Sequence, residues 1–366
     1  MEKILNFIKS HYFLIFILAT ANLIIAFVLV KTPLWENGDM TSYLEAMNLL
    51  QDKPYGEEFT ITRLLTSPLM LYSSIFLGKL FNSNQTGMLA VNIIFYFLTV
   101  YVFCKIVESI FQNKKISLVA SVLFFANYCM FNYGTTYRVD MGGWFFFLLT
   151  TLFAIKYYQS QLTDRKYFLL AIFAASVGVL FKEYGALGMI SLGLLILLSK
   201  ITLKQKIKKI LLAVLIFLII PGLYHLLIYL KFDYSYFSWY GHSFGSHINN
   251  PENPFAEYNL ILFIKVLGWL FLAGWPIFLW GLYQLWKNYD KQRIICLAAL
   301  LPASLAFLAW PALTQRIAFI LVPWLALIAG FGLSKIKYKY LIIIILIIYA
   351  LVNYLTRPWL LSAINL

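Results

Sequence analysis

Two aspartates stand at the borders of long apolar runs, where a carboxylate could meet a substrate. Asp39 follows the first apolar run, and Asp140 lies two residues after Arg138 at the start of a later one. A carboxylate so placed can take a proton from a hydroxyl as a general base. From position alone, Asp39 is either such a base or the N-cap of a helix. Asp140 is either a second active-site carboxylate or the salt partner of Arg138.

Three basic residues lie at or near the ends of other apolar runs: Arg63, Lys182 and Arg316. Arginine binds phosphate oxygens in a bidentate manner and lysine binds them as a point charge, so the three could converge on a lipid phosphate. The alternative is that each side chain extends to the lipid headgroups. We favour Arg316 and Lys182 as phosphate ligands, with Glu183 tuning or neutralising the charge of Lys182. Arg63 and Arg138 complete the set of candidate substrate-binding cations.

Two histidines, His242 and His247, lie five residues apart in the segment WYGHSFGSHINNPENP. They could bind a metal or contact an acceptor, but two histidines without a fixed third ligand are a weak metal signal. A polar, aromatic substrate-binding loop is the favoured interpretation. The sequence therefore predicts no metal site and no cofactor.

The elements that must position these residues are apolar. The 366 residues are 62% hydrophobic and only 12% charged, whereas a soluble domain carries about 25% charged residues. Hydrophobic runs recur along the whole chain, and several are long enough to cross a bilayer core of about 30 Å as helices. We predict an all-α polytopic membrane protein with about eleven spans, at 12–30, 86–106, 116–133, 139–158, 167–181, 184–199, 210–230, 259–286, 294–310, 316–333 and 341–355.

The net charge of +14 does not indicate nucleic-acid binding, because the basic residues form short clusters between apolar runs. Such clusters mark cytoplasmic connections by the positive-inside rule. With the N-terminus placed in the cytoplasm, every cytoplasmic connection obeys this rule and most acidic residues lie outside. The chemistry is therefore expected to face outward.

Two outer segments are long enough to build a site, 31–85 and 231–258. The first contains the apolar stretches TSYLEAMNLL and SPLMLYSSIFLGKLF, which are too short to span and are predicted to lie as two interfacial helices. Asp39 and Pro68 are the expected helix-start residues. With no repeat or linker in view, we predict a single transmembrane domain over 1–366.

The three cysteines, Cys104, Cys129 and Cys296, each fall within an apolar run and none has a CxxC partner. Their spacing predicts neither a disulfide nor a cysteine metal site. The N-terminus has a basic start, but its apolar run is long for a signal peptide and lacks a small-residue cleavage site. It is therefore expected to remain as the first membrane helix.

Four stretches of the chain resemble the GT-C superfamily of membrane glycosyltransferases, in particular the protein O-mannosyltransferase and aminoarabinose-transferase-like branch. They are WENGDMTSYLEAMNLLQDKPY, TRLLTSPLMLYSSIFLGKLFNSN, YGTTYRVDMGGWFFFLLTTLFAIKYY and QRIAFILVPWLALIAG, and together they extend over about residues 1 to 335. Their order and placement carry the resemblance more than any one of them. The chain departs from many relatives where Met40, rather than a second acidic residue, follows Asp39.

The resemblance implies a sugar donor carried on a polyprenyl phosphate and an acceptor that is a lipid, a glycan or a protein. It favours Asp39 as the general base, with Tyr43 on the interfacial helix and Asp140 as a second carboxylate, and it adds weight to Arg316, which opens a helix with Pro323 seven residues later. Direct displacement would invert the anomeric centre. The expected location is the plasma (inner) membrane of a bacterium, with the active site facing the periplasm or the exterior.

Two rival functions predict different sequence features. A transporter or flippase of a lipid-linked saccharide should show broken or charged helices at mid-membrane and a two-fold repeat, and neither is clear. A polymerase or ligase of diphosphate-linked glycans should concentrate its polar residues in a large late outer loop, whereas here the longest outer segment comes first.

Overall fold

The computed structural model describes residues 10–29, 39–54, 60–249, 260–310 and 314–355. The side chains of residues 29, 242–244, 246–249 and 260–262 lie outside the described part. Within these ranges the chain is helical and has no strand. This confirms the all-α class that the apolar runs predict.

The helices follow one another with short connections. The first half contains α1 (His11–Leu29), α2 (Asp39–Leu49), α3 (Thr60–Thr66), α4 (Pro68–Phe81), α5 (Asn84–Phe111), α6 (Lys114–Phe125), α7 (Tyr128–Gly134), α8 (Asp140–Gln159) and α9 (Arg165–Phe181). After a 3-10 turn (Glu183–Leu187) come α10 (Gly188–Leu197), α11 (Leu203–Phe232), α12 (Tyr236–Asn249), α13 (Leu260–Phe271), α14 (Gly274–Lys287) and α15 (Lys291–Ser304). The 3-10 turn Ala306–Ala309 precedes α16 (Gln315–Ala318), the turn Phe319–Leu321, α17 (Val322–Ser334) and α18 (Lys339–Leu355).

Each predicted span coincides with a helix or with a pair of helices. By length and apolarity, five continuous helical segments among the described residues can cross a membrane, and up to eight can do so if each of three bent pairs counts as one. The chain is therefore a multi-pass membrane protein. The number of eleven spans stays a prediction.

Two of the predicted spans, 116–133 and 259–286, are each formed by a bent pair of helices. α6 and α7 meet at 55°, and the α13–α14 pair is bent by 83°. The first bend has a local cause, because Asn127 stops α6 and caps α7 by accepting the backbone N–H of Cys129 at 3.0 Å. At the second bend Leu272 has a φ of 44°, a left-handed conformation that a leucine adopts at a cost in energy.

Residues 31–85, which the sequence predicts to be the first outer segment, hold three described helices rather than the two expected. α2 begins at Asp39 and α4 begins with Pro68 in its first turn, as predicted. Between them the short helix α3 meets α4 at 100°. The extra helix matters because it carries Arg63.

Apolar packing anchors this segment to the bundle. A buried cluster joins α2, α3 and α4 to α5 and to the ends of α8 and α9. Its members are Tyr43, Ala46, Met47, Leu64, Met70, Leu71, Ile75, Met88, Val91, Val139 and Phe181. In contrast, α11 keeps most of its apolar side chains exposed, as expected for a helix that faces lipid. The buried cluster therefore sets the position of the polar residues that begin α2.

Candidate active site

Arg316 joins two carboxylates that lie far apart in the sequence. Its Nη1 donates to Asp39 Oδ2 and its Nε donates to Asp140 Oδ2, both at 2.7 Å. Thr314 caps α16 by accepting the N–H of Ile317, which places Arg316 in the first turn of this helix. One guanidinium thus holds together the N-terminal ends of α2 and α8.

Arg63 engages the other oxygen of Asp39. Its Nη2 donates to Asp39 Oδ1 at 2.5 Å and its Nε donates to Ser42 Oγ at 2.8 Å. The guanidinium carbon lies 4.7 Å from the centre of the Tyr43 ring, which is the geometry of a cation–π contact. Both oxygens of the Asp39 carboxylate therefore accept a hydrogen bond from an arginine.

Arg138 approaches the same carboxylate from the loop before α8. Its Nη1 lies 3.9 Å from Asp39 Oδ2. Asn92, a fully buried residue of α5, fixes this loop by donating from Nδ2 to the carbonyls of Thr136 at 2.5 Å and of Arg138 at 2.7 Å. The position of Asp140 at the start of α8 depends on this amide.

Lys182 and Glu183 lie where α9 ends. Lys182 Nζ donates to Glu183 Oε1 at 3.0 Å, and the lysine is buried. The approach is close because Gly143 lacks a side chain, since a Cβ there would lie 2.7 Å from Lys182 Cβ. The electrostatic environment of Lys182 includes Asp140, Tyr43 and Arg316 as well as Glu183. The ion pair at the end of α9 therefore belongs to the same cluster.

The charges are compensated within the cluster with one positive charge in excess. Four basic side chains, of Arg63, Arg138, Lys182 and Arg316, face three acidic ones, of Asp39, Asp140 and Glu183. Two of the carboxylates begin helices, where the helix dipole favours negative charge. Arg316 is also near a helix start, where a cation is disfavoured, so its two carboxylate partners offset that cost.

The two aspartates differ in their surroundings. Burial would by itself raise the pKa of the Asp39 carboxyl, but the charges of Arg316 and Arg63 outweigh burial and hold that pKa well below its usual range. The Asp39 side chain is 37% exposed, whereas that of Asp140 is fully buried. Asp39 is therefore an ionised carboxylate that is partly open to solvent.

Some buried polar atoms of the cluster make no hydrogen bond to the described residues. Asp140 Oδ1 and the hydroxyl of Tyr43 are both buried and make no hydrogen bond. Buried polar atoms are nearly always paired, so such atoms next to four cations mark a place that a polar ligand or water can fill. A divalent ion between Asp39 and Asp140 would first have to displace the Arg316 guanidinium.

Eight of the ten residues that the sequence predicted for the site lie in this cluster: Asp39, Tyr43, Arg63, Arg138, Asp140, Lys182, Glu183 and Arg316. The structure pairs Asp140 with Arg316, and it places Arg138 beside Asp39. His242 and His247 fall in the helix α12, where the sequence analysis expected a loop, and their side chains lie outside the described residues. The chemical roles predicted for all ten stay predictions.

Sequence reasoning missed three residues of the site, Asn92, Ser42 and Tyr184. Asn92 had a usable signal, because a buried amide inside an apolar span needs a polar partner. Ser42 and Tyr184 had none, since hydroxyl residues are frequent near membrane interfaces. The Lys182 ammonium lies 5.9 Å from the centre of the Tyr184 ring.

Comparisons with known proteins concern the fold of the chain. The family model described as dolichyl-phosphate-mannose-protein mannosyltransferase matches residues 66–225. No curated protein sequence matches the chain. Among solved structures, ArnT from Cupriavidus metallidurans in the apo state matches with a TM-score of 0.64 at 14% identity, over 88% of this chain and 59% of that one. ArnT from the same organism bound to undecaprenyl phosphate matches with a TM-score of 0.63 at 14% identity, over 88% of this chain and 60% of that one.

These matches confirm the fold that the resemblance predicted. The chain has an ArnT-like fold and spans about 60% of the length of the ArnT chains. At 14% identity the likeness establishes the architecture, whereas activity has to be argued from the site.

Proposed function

We propose that this chain is an integral membrane glycosyltransferase that transfers a sugar from a polyprenyl-phosphate donor to an acceptor hydroxyl. The observation that carries the proposal is the bridge from Arg316 to Asp39 and Asp140 within a cluster of four cations. Such a cluster offers both a carboxylate that can accept a proton and cations that can bind a phosphate. The mannosyltransferase family match and the ArnT structure with undecaprenyl phosphate support the same donor class.

The charge of the cluster favours a monophosphate donor over a diphosphate donor. A sugar linked to a lipid through one phosphate is a phosphodiester with one negative charge, which matches the single excess positive charge of the site. As the bond to the sugar breaks, the leaving phosphate becomes a monoester with a charge of about −1.5 to −2. Fixed arginines therefore stabilise the transition state more than the bound donor.

Asp39 takes the acceptor proton in this mechanism. At rest it is a weak base, because the guanidinium charges of Arg316 and Arg63 hold its pKa low. A donor phosphate that binds the same two arginines neutralises part of their charge and so increases the basicity of Asp39. Attack by the acceptor oxygen in a single displacement inverts the anomeric centre, and Asp140 holds Arg316 in place from the opposite side.

The decisive experiment is sugar transfer by the purified full chain in lipid. Transfer of labelled sugar from defined polyprenyl-phosphate donors is expected for the wild type, and Asp39→Asn should lower the rate by about 10² to 10⁴. Asp164→Asn is the matched control, because Asp164 only caps α9 and an asparagine caps equally well. Transport of a lipid-linked glycan without transfer from any donor would contradict the proposal and favour a flippase.

The cluster faces the outside of a bacterial plasma membrane in this proposal. Lys53→Cys, in the segment after α2, should react with an impermeant thiol reagent added outside intact cells. Lys204→Cys and Lys337→Cys, both exposed at the other end of the bundle, should react only after the cells are opened. The native cysteines are buried and leave the background low. Labelling of Lys204→Cys in intact cells would reverse the orientation.

A further inference from the structure

A second cluster of polar side chains lies at the end of the bundle away from the candidate active site. His11 from α1 faces Cys104 and Glu108 from α5, and the imidazole nitrogen, the thiol sulfur and a carboxylate oxygen all lie within 4.8 Å of one another. Asn92 of the active-site end and Glu108 are 16 residues apart on α5, which corresponds to about 24 Å of helix. The two clusters are therefore separate.

The spacing of the side chains suits a metal ion. Cys104 and Glu108 are four residues apart on one helix, so they project from the same face. Pairs of metal ligands on helices use this same spacing. The third group, His11, reaches Glu108 Oε1 through its Nε2 from a position 97 residues earlier in the chain.

The two oxygens of Glu108 have different partners. Oε1 faces His11, while Oε2 accepts from the hydroxyl of Tyr12 and lies 3.4 Å from Lys105 Nζ. This division leaves one oxygen for an ion and assigns the other to groups that fix the orientation of the carboxylate. Outer partners of this kind are typical of metal-binding carboxylates.

The surroundings leave room for a fourth ligand. Cys104 is fully buried, and the side chains of His11 and Glu108 are 13% and 20% exposed. Beside them is a cavity of about 420 Å³, lined by Ser10, His11, Tyr12, Glu108, Gln112, Asn113 and Lys114. An ion held by three side chains could therefore complete its coordination with water from this cavity.

We propose that His11 Nε2, Cys104 Sγ and Glu108 Oε1 form a binding site for a Zn²⁺-class ion that ties α1 to α5. Nitrogen, sulfur and oxygen ligands together are the donor set that zinc accepts, at about 2.0 to 2.3 Å. Binding opens the contact of His11 with Glu108, releases the thiol of Cys104 from Ser117 Oγ, 2.8 Å away, and brings the sulfur closer to the other two ligands. The thiol proton passes to water as the thiolate binds the ion. The CxxC spacing rule cannot detect this set, because its ligands come from two helices that are far apart in the sequence.

Cobalt(II) is the probe for this site, because a thiolate bound to cobalt gives a charge-transfer absorption in the near ultraviolet. The metal-free full chain in detergent should take up one equivalent of cobalt(II) with this absorption, and zinc should displace it. Cys104→Ser should abolish the absorption. The matched control is Cys296→Ser, which removes an equally buried thiol outside the cluster and should leave the absorption unchanged.

The affinity for zinc separates a built site from adventitious binding. Tyr12→Phe removes the hydroxyl that holds Glu108 Oε2, and it should weaken zinc binding by about 10- to 100-fold without removing a ligand. Size-exclusion profiles identify any variant that fails to fold. The proposal is overturned if the wild type shows no charge-transfer absorption, if the absorption persists in Cys104→Ser, or if Tyr12→Phe binds zinc as tightly as the wild type.

Discussion

Replacement of Arg316 by lysine isolates the geometry of the active-site bridge from its charge. The guanidinium donates to Asp39 and to Asp140 through two different nitrogens, each at 2.7 Å. A lysine ammonium keeps the positive charge, but it is a point charge and lacks the fork that reaches both carboxylates. Arg316→Lys should therefore lose one of the two charge-assisted hydrogen bonds and the ability to form bidentate hydrogen bonds to phosphate.

The expected loss can be stated as a rate. A hydrogen bond to a charged group contributes about 1.5 to 3 kcal/mol. If Arg316 makes that bond to the leaving phosphate in the transition state, kcat/KM should fall by about 10- to 150-fold. In Arg316→Ala, kcat/KM should fall further. This variant should also destabilise the fold by about 3 to 5 kcal/mol, because it leaves the buried carboxylate of Asp140 without its charge partner.

The assay is steady-state sugar transfer with varied donor, normalised to folded protein. Arg293→Lys is the matched control, since Arg293 lies 3.9 Å from Asp290 at the other end of the bundle and should tolerate lysine. A headgroup anchor would accept lysine fully, because any cation serves it. Wild-type kcat and KM in Arg316→Lys would therefore refute the bridge and return Arg316 to an anchoring role.

Three further predictions test the surroundings of the bridge. Because the folded-state pKa of Asp39 is lowered, its stabilising effect is present above its ordinary pKa of about 3.9 and is lost as the pH falls below that value. The melting temperature measured from about pH 5 to 8 should therefore show the same pH dependence in the wild type and in Asp39→Asn. A transition in this range that only the wild type shows would contradict the lowered pKa. Asn92→Ala should lower both the melting temperature and transfer, because the buried carbonyl of Thr136 and the partly buried carbonyl of Arg138 lose their donor, at a cost of about 1 to 3 kcal/mol for a buried group. Unchanged transfer would contradict the positioning role. Gly143→Ala should reduce transfer by displacing Lys182. Gly193→Ala is the control, because its added methyl meets nothing within 4 Å and should be neutral in the same assay. Equal effects of the two substitutions would refute the close approach of Lys182 to Gly143.

Several features of the fold could be predicted because they depend on local composition. Asp39 and Pro68 begin helices as expected, since helix-start preferences act within one turn. The bend at Asn127 was missed, because apolarity averaged over a span hides one polar residue that caps a new helix. The helix α3 was missed for a related reason, since seven residues are too few to show a periodic pattern.

The candidate site was predicted as a set of residues, whereas their pairing was not. Position and charge selected Asp39, Arg63, Asp140 and Arg316 as residues at helix ends, and the structure brings them together. From the sequence, Asp140 was either a second active-site carboxylate or the salt partner of Arg138. The structure pairs it with Arg316. A salt bridge between residues 176 positions apart depends on how the helices pack, and no local pattern encodes that distance.

The sequence alone determined that the chain lies in a membrane and approximately where its apolar helices lie. These properties follow from the transfer of short apolar segments out of water, which each segment undergoes largely independently of the others. The tertiary structure alone decided that one guanidinium compensates two carboxylates, and that His11 meets Cys104 and Glu108. Contacts of a few ångströms arise only when packed helices fix both partners, because a side chain's charge is read from the sequence but its neighbours are set by the fold.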